Sequence, residues 1–348
     1  MKSKNTFRKR VGANLLKHYF ISIIFYCVLF LHSSAFANQS LKIEPLFISN
    51  ILPIAQGLGL PSTLSATSLK QGEKRFDYNL GVKSNANDSG SSDGEILILD
   101  GETQSLQIGI RYGLTDSWQF DAQVAYLAHN EGYFDGLIQQ WHEFFQLDEG
   151  DRPLLGQDEF LYYYERDDVS YSLNDPVSGW SDVRVGLAYE FQQNYLDGLL
   201  LRGALTLPTG EQANLTGSNE IDADVGLYMG NQSLGRWTDI AWHANLGYVM
   251  IGDDTAFGVQ TRSGTWFAST GAQFRLNSLF AFKAQLDWHS AIFDSEIEEL
   301  NKHATQLSLG MTYQNANNAI VTLYFSEDIS VNRAADFSMG IEYKHGFK

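Results

Sequence analysis

Cysteine is nearly absent from this sequence, with Cys27 the only one in 348 residues. A disulfide framework is therefore excluded, because it needs at least two thiols. After residue 31 no run of eighteen consecutive apolar residues occurs, so the main part of the chain has no candidate transmembrane helix. Basic residues are also scarce, 24 Lys and Arg against 41 Asp and Glu. This balance argues against nucleic acid as a partner, since phosphate binding requires basic patches.

The first 37 residues have the pattern of a cleaved signal peptide. Six basic residues precede the largely apolar run YFISIIFYCVLFL at 19–31, and Ala35-Phe36-Ala37 supplies the small residues that signal peptidase requires. The run is shorter than the roughly 20 residues of a membrane-spanning helix, although an uncleaved anchor is the alternative interpretation. Cleavage after Ala37 leaves 18 basic and 41 acidic residues, a net charge of −23, and removes the only cysteine. No thiolate nucleophile remains.

Apolar and polar residues alternate along much of the remaining chain. The clearest segments are 106–112, 118–124 and 182–191. Successive side chains of a strand point to opposite faces, so each strand has one apolar face and one that carries Gln, Asp, Arg or Gly. In a water-soluble sandwich the apolar face points inward, whereas in a membrane barrel it faces lipid.

The lengths of strands and connections distinguish these two folds. The pattern predicts about twelve strands, most near the 9–11 residues that span a bilayer, at 73–85, 95–113, 118–129, 180–193, 198–208, 219–230, 236–250, 264–276, 279–290, 303–314, 319–326 and 335–347. Short connections alternate with longer ones at 86–94, 130–179, 209–218, 251–263, 291–302 and 327–334. Short periplasmic turns and long outer loops are typical of outer-membrane proteins. We therefore predict an all-β, transmembrane, antiparallel up-and-down β-barrel over 73–348, in the outer membrane of a Gram-negative cell.

Aromatic residues cluster near both ends of the predicted strands. Those beside the short turns are Tyr112, Trp118, Phe120, Phe191, Trp237, Phe274, Phe280 and Tyr313, and those toward the long loops are Tyr126, Trp266, Trp288, Phe325 and Phe337. Two such belts are expected where rings lie at the headgroup level. The alternating last strand, 335–347, is similar to the terminal signal that barrel assembly machinery reads, although Lys348 follows the final aromatic residue. The predicted partners are outer-membrane lipid, lipopolysaccharide, that machinery and a small solute.

Two segments depart from the strand pattern. Residues 38–72 contain ILPIAQGLGLP, which is too apolar for a free linker and too rich in Pro and Gly for a helix. We expect a periplasmic leader that either plugs the barrel mouth or packs under its rim. The long loop 130–179 contains FDGLIQQWHEFFQL at 134–147, whose apolar residues recur at the spacing of one helical face. We expect a short helix there, in an outer loop that covers the barrel end.

Charged residues with inward parity are the candidate functional residues. The predicted lumen-lining set is Arg111, Asp121, Arg184, Arg202, Asp222, Asp224, Lys283 and Asp287. Paired carboxylates such as Asp222 and Asp224 can act in acid–base catalysis or bind calcium. Oppositely charged side chains that pair across the interior are, however, the usual filling of a narrow barrel. A Ser-His-Asp site is disfavoured, because His289 and Ser290 are adjacent in a strand and point to opposite faces. We therefore predict no enzyme, no cofactor and no metal site.

Four motifs carry a resemblance to a known family: ILPIAQGLGLPS at 51–62, LTDSW at 114–118, WHEFF at 141–145 and LPTGE at 207–211. With them the chain resembles an uncharacterised domain-of-unknown-function family of Gram-negative outer-membrane proteins, over roughly residues 40–348. LPTGE is also similar to an element of transporter-like barrels linked to uptake of hydrophobic or aromatic compounds. The resemblance implies a barrel fold and favours a transport function, but it assigns a role to no individual residue. We expect a porin-like channel or transporter for small solutes; the alternative is a non-conducting surface or envelope protein that binds a partner through its outer loops.

Overall fold

The computed structural model of the protein describes residues 44–48, 52–146, 151–252, 256–315, 319–330 and 333–347. The predicted signal peptide therefore lies outside the described residues. The described residues form fifteen strands: β1 Lys74–Gly90, β2 Ile96–Gly113, β3 Trp118–Asn130, β4 Leu161–Arg166, β5 Val169–Leu173, β6 Val177–Trp180, β7 Val183–Glu190, β8 Gly198–Leu207, β9 Asp222–Asn231, β10 Ile240–Met250, β11 Gly264–Arg275, β12 Phe280–His289, β13 Ala304–Gln314, β14 Ala319–Asp328 and β15 Phe337–Phe347.

Twelve of these strands, β1–β3 and β7–β15, form the wall of a closed antiparallel barrel. Each wall strand pairs with its neighbours in the chain, and β1 pairs with both β2 and β15, in a register that sets Lys74 opposite Phe347. A closed sheet has no unpaired edge, which lipid would be unable to hydrogen-bond. The predicted all-β barrel of about twelve strands is confirmed.

The outer surface of the wall is apolar and the inner surface is polar. Outward side chains such as Leu187 and Leu201 are exposed, whereas inward Gln119 is buried. The alternation that predicted the strands thus sorts their side chains between the two faces. Phe337 is wrongly placed in the predicted outer aromatic belt, since it is only 8 % exposed in the structure.

The two ends of the barrel differ. We call the end that carries the connections 114–117, 191–197, 232–239, 276–279 and 315–318 the short-turn end, and the other the loop end. One predicted loop is wrong: β1 and β2 remain paired as far as Gly90 and Ile96, so the connection is 91–95 rather than 86–94. The extension is stable because Leu97 and Leu99 of β2 are fully buried in a cluster at the loop end.

The connection 131–182 is more structured than predicted. It contains the predicted helix, α1 Asp135–Phe145, which is confirmed, and also β4, β5 and β6. β4 pairs with the first residues of β2, and β6 pairs with the last residues of β3, so the wall extends beyond the barrel on this side. The apolar face predicted for α1 is partly wrong: Ile138 is buried, but Leu137 and Phe144 are exposed. A second short helix, α2 Glu298–Asn301, lies between β12 and β13, and the described residues include no helix long and apolar enough to cross a membrane.

Candidate functional site

Four charged residues of the predicted set form one network on the inner wall. Arg202 of β8 donates from Nε and Nη2 to the two carboxylate oxygens of Asp121 of β3, at 3.0 and 2.5 Å. Arg184 of β7 donates to Asp224 of β9, and Arg202 Nη1 lies 3.5 Å from the same carboxylate. All four side chains are buried. Since each carboxylate has an arginine partner, the network neutralises itself, and removal of any member would leave an uncompensated buried charge.

Gly186 of β7 allows Arg202 to reach Asp121. In the sheet β7 lies between β3 and β8, so the guanidinium has to cross β7. A Cβ atom at position 186 would lie 2.5 Å from Arg202 Nη2 and 2.8 Å from Asp121 Oδ1. Only glycine leaves room for this crossing.

We expect Gly186→Ala to lower the free energy of unfolding of the barrel by about 1–3 kcal/mol, because the added methyl group displaces the Arg202 guanidinium from Asp121. Urea unfolding of the protein in detergent micelles measures this change. The matched control is Gly109→Ala, an inner-wall glycine of β2 at which a Cβ would meet no atom closer than 3.6 Å. Equal destabilisation of the two variants would contradict the role assigned to Gly186.

The predicted leader crosses the barrel interior. Its described residues, 44–48 and 52–72, are called the leader from here on. The Leu46 amide donates to Gln285 Oε1 of β12 at 2.9 Å, and Gln285 Nε2 donates back to Leu46 O at 3.0 Å. Asn79 of β1 donates to Phe47 O at 3.1 Å. Because β1 and β12 are not neighbours in the wall, these contacts place the leader between them, inside the barrel.

At the short-turn end the leader is bound by charge. Arg75 of β1 donates to Glu44 at 2.5 Å, and Arg111 Nη2 and Lys344 Nζ each lie 3.9 Å from the other oxygen of Glu44. The buried carboxylate of Glu44 is thus surrounded by the three cationic side chains of Arg75, Lys344 and Arg111. Arg111, from the predicted set, also forms two hydrogen bonds to Asp77, at 2.9 and 3.0 Å. Glu44 therefore connects the leader to β1, β2 and β15.

At the loop end the leader turns around, and this turn is apolar. Pro53–Ala55 form a single 3-10 turn. Leu52, Ile54 and Leu58 are buried in a hydrophobic cluster that β2, β4 and the outer connections complete, with members that include Leu97, Leu99, Tyr162, Tyr164, Phe257, Val259 and Phe293. The leader thus reaches from the short-turn end to the loop end.

The start of the return path depends on a glycine. Gly59 has a φ of +54°, a conformation that other residues rarely adopt. A Cβ there would lie 2.9 Å from both Thr206 Oγ1 and Asp222 Cβ of the wall. The Gly59 carbonyl accepts a hydrogen bond from Arg184, so the leader and the charged network share one contact.

Further along the return path, hydroxyl groups hold the leader to the wall. Thr63 Oγ1 lies 2.7 Å from Ser269 Oγ of β11, and Asn245 Nδ2 of β10 donates to Thr63 Oγ1 at 3.2 Å. Nearer the short-turn end, the Ser68 amide donates to Glu190 Oε2 at 2.8 Å. The leader therefore enters and leaves the interior at the same end of the barrel, where it continues into β1.

Two more carboxylates of the predicted set have local partners. Asp222 accepts a hydrogen bond from the Gly252 amide at 2.9 Å. Asp287 accepts hydrogen bonds from Gln285 at 2.9 and 3.0 Å and from Thr63 of the leader at 3.1 Å. Asp222 and Asp224, which are two residues apart in the sequence, thus bind different partners, and the structure does not bring them together as an acid–base pair.

The remaining residues considered in the sequence analysis are Lys283 and His289. Lys283 is buried, and its Nζ has no hydrogen-bond partner among the described atoms. His289 Nδ1 donates to the Ser290 carbonyl oxygen at 2.7 Å rather than to a hydroxyl group. Within the described residues no group of three His, Cys, Asp or Glu side chains is arranged to hold a metal ion.

The neutral residues that bind the leader were missed by sequence reasoning, whereas Arg111, Arg184 and Asp287 of the predicted set also contact it. Asn79, Asn245, Ser269 and Gln285 are neutral, and the predicted set was chosen by charge. Inward parity alone would have found them, since each lies on the polar face of an alternating strand. Their partners were unreadable from the sequence, because Gln285 contacts a residue 239 positions earlier.

Space remains beside the leader, and two of its cavities bear on the predicted residues. One of about 90 Å³ lies between the leader and the wall strands β1, β2, β3, β7 and β8. The other, of about 30 Å³, is next to Thr63 and Asp287. Both are lined by leader and wall residues together, so movement of the leader would enlarge them.

Comparison with known proteins agrees with this architecture. The family model described as "Protein of unknown function (DUF3187)" matches residues 19–347, and no curated protein matches the sequence. Among solved structures, the COG4313 outer membrane channel from Pseudomonas putida F1 has a TM-score of 0.54 at 13 % identity, over 81 % of this chain and 98 % of that one. The NanC porin has a TM-score of 0.43 at 12 % identity, over 78 % and 99 %. The Ralstonia pickettii toluene transporter TbuX has a TM-score of 0.40 at 13 % identity, over 86 % and 99 %. The first similarity shows a fold shared with an outer-membrane channel.

Proposed function

We propose that this chain, which belongs to the DUF3187 family, is an outer-membrane channel or transporter for small solutes that its own leader closes. The apolar outer face, the closed sheet and the short turns at one end are features of outer-membrane barrels. Outer-membrane barrels have their short turns on the periplasmic side. The short-turn end of this barrel therefore faces the periplasm, and the leader enters the interior from that side. Outer-membrane lipid, lipopolysaccharide and the barrel assembly machinery are the partners that this location implies. We propose no enzymatic activity.

The observation that carries the proposal is the way in which the leader is bound. The hydrogen bonds that join its residues 44–68 to the wall involve side chains, and the leader is not a strand of the sheet in the described part of the chain. Each such hydrogen bond contributes about 0.5–1.5 kcal/mol net. Together with the ion pairs of Glu44 and the apolar turn, these hydrogen bonds hold the leader without any sheet pairing. The leader can therefore leave and return while the hydrogen bonds between the wall strands stay intact.

A second candidate function rests on the outer connection 131–182. Its side chains include three strongly exposed apolar residues, Leu137, Phe144 and Leu154, the last two at 78 % and 71 % exposure. Exposed apolar groups often mark an interaction surface. If the leader never leaves the interior, the protein is a non-conducting surface protein that binds a partner through this connection.

A charge reversal at Glu44 tests the channel. We expect the refolded mature protein to give brief, infrequent single-channel openings in planar bilayers, and Glu44→Lys to raise the open fraction at least tenfold. The reason is that a lysine at position 44 would face Arg75, Arg111 and Lys344 in a buried site, and like charges there repel. Glu73→Lys is the control, because Glu73 accepts a hydrogen bond from Lys70 at the exposed end of the leader.

Folding of each variant is checked by its heat-modifiable mobility on gels. If neither the natural protein nor Glu44→Lys gives openings although both are folded, the channel is contradicted and the non-conducting surface protein is favoured.

A further inference from the structure

The cavity of about 90 Å³ between the leader and the wall contains a lysine without a counter-charge. Lys83 of β1 lines it. In the described part of the chain Lys83 forms no ion pair, whereas the interior arginines Arg75, Arg111, Arg184 and Arg202 all do. An ammonium group held away from bulk water without an anion is costly. Among the inward lysines of the described residues, Lys344 lies 3.2 Å from Glu342, whereas Lys83 and Lys283 have no acidic partner.

The acidic residue at this cavity is already engaged. Asp182 accepts hydrogen bonds from the amides of Thr209, Gly210 and Ser218, at 2.8, 2.7 and 2.7 Å. Its carboxylate therefore fixes the outer connection that follows β8 and is not a partner of Lys83. The cavity keeps a net positive lining.

Neutral polar groups converge on the same cavity. Gln107 of β2, Gln123 of β3 and Ser62 of the leader line it, and within the described chain none of these three side chains has a hydrogen-bond partner. Amide and hydroxyl groups beside an ammonium recognise a carboxylate together with a neighbouring hydroxyl group. At roughly 10–15 Å³ per water-sized sphere, the cavity has room for a molecule of about six non-hydrogen atoms.

We propose that this cavity binds a small organic hydroxycarboxylate, with its carboxylate on Lys83 and its hydroxyl group on the Gln107 and Gln123 amides. The inference rests on the proposed function, since a solute reaches this position only through the barrel interior. It makes Lys83 the residue that selects an anionic solute. Ser62 belongs to the leader, so the bound solute also contacts the segment that closes the channel.

Calorimetric titration of the folded mature protein in detergent tests the inference, with lactate as the probe. Lactate has six non-hydrogen atoms, and 1,2-propanediol is its neutral analogue. We expect lactate to bind, 1,2-propanediol to bind at least tenfold more weakly, and Lys83→Gln to weaken lactate binding at least tenfold. Lys283→Gln is the matched control, because Lys283 is also an unpaired inner-wall lysine but lies outside this cavity; it should change lactate binding less than twofold.

Three results would overturn the assignment. They are no lactate binding to the natural protein, equal binding of lactate and 1,2-propanediol, or equal loss in the two lysine variants. Gln107→Leu is a second variant, which keeps the lysine. An unchanged affinity for lactate in this variant would show that the Gln107 amide does not bind the hydroxyl group. Calorimetry measures binding independently of conduction. If lactate binds but the protein gives no openings in bilayers, the proposed channel is contradicted and the binding site is not.

Discussion

Leu58→Asp should convert the proposed channel from mostly closed to mostly open. Leu58 is fully buried at the turn of the leader, within the apolar cluster at the loop end. Burial of even a neutral polar group without a hydrogen bond costs on the order of 2–7 kcal/mol, and an ionised carboxylate costs more; each 1.4 kcal/mol is a factor of ten in an equilibrium. We expect the open fraction in planar bilayers to rise at least tenfold, because the aspartate drives the turn out of the cluster.

The control for this variant is Thr67→Asp, which places the same charge on the same segment at an exposed position. We expect it to leave the open fraction within about twofold of the natural protein. Gel mobility before and after heating shows whether each barrel is folded. A folded Leu58→Asp protein with unchanged conductance would mean that the turn does not close the path.

The strands could be predicted because their signal is local. Alternation between neighbours, as in Trp118, Gln119 and Phe120, is set by which face of one strand points out of the barrel and which points into it. The structure exposes Trp118 and Phe120 and buries Gln119, as that pattern requires. Inward parity likewise identified Asp121 and Arg202 as interior residues, but it gave no information on which carboxylate each arginine binds.

The outer connection could not be predicted to the same extent. Tyr162 and Tyr164 of β4 are buried only because β1 and β2 extend beyond the barrel and offer a pairing surface. A three-residue tyrosine run has no alternation that distinguishes a strand from a loop. The pairing therefore comes from a long-range contact, which the sequence does not display.

The path of the leader is the part that depends most on tertiary contacts. Proline and glycine in ILPIAQGLGLP excluded a helix but were compatible both with a plug and with a segment packed under the rim. The positive φ of Gly59 and its close approach to Thr206 are visible only once the wall is in place. The electrostatic contact of Glu44 is also non-local, since Lys344 is 300 positions away in the sequence.

A disulfide between the leader and the wall should abolish conduction reversibly. Thr63 Oγ1 and Ser269 Oγ are 2.7 Å apart, so cysteines at these two positions have their sulfur atoms near the distance of about 2.0 Å that a disulfide requires. Cys27 lies in the predicted signal peptide, so the mature protein contributes no competing thiol. With the bond formed, the return path of the leader stays fixed to β11 and the interior stays filled.

The matched control places both cysteines in the wall. Ser308 Oγ of β13 donates to Ser326 Oγ of β14 at 2.9 Å, so Ser308→Cys with Ser326→Cys forms a similar bond that does not include the leader. We expect its conductance to be the same in the oxidised and reduced states. A control that also closes on oxidation would show that any added disulfide on the inner wall blocks the path.

The most direct test of the closing leader is therefore the single-channel conductance of the Thr63→Cys, Ser269→Cys protein before and after a reductant is added to the same bilayer. We expect no openings while the disulfide is intact and openings like those of the natural protein once it is reduced. Openings of normal size and frequency in the oxidised protein, with thiol titration showing no free cysteine, would contradict the account, because conduction would then proceed with the leader fixed in place.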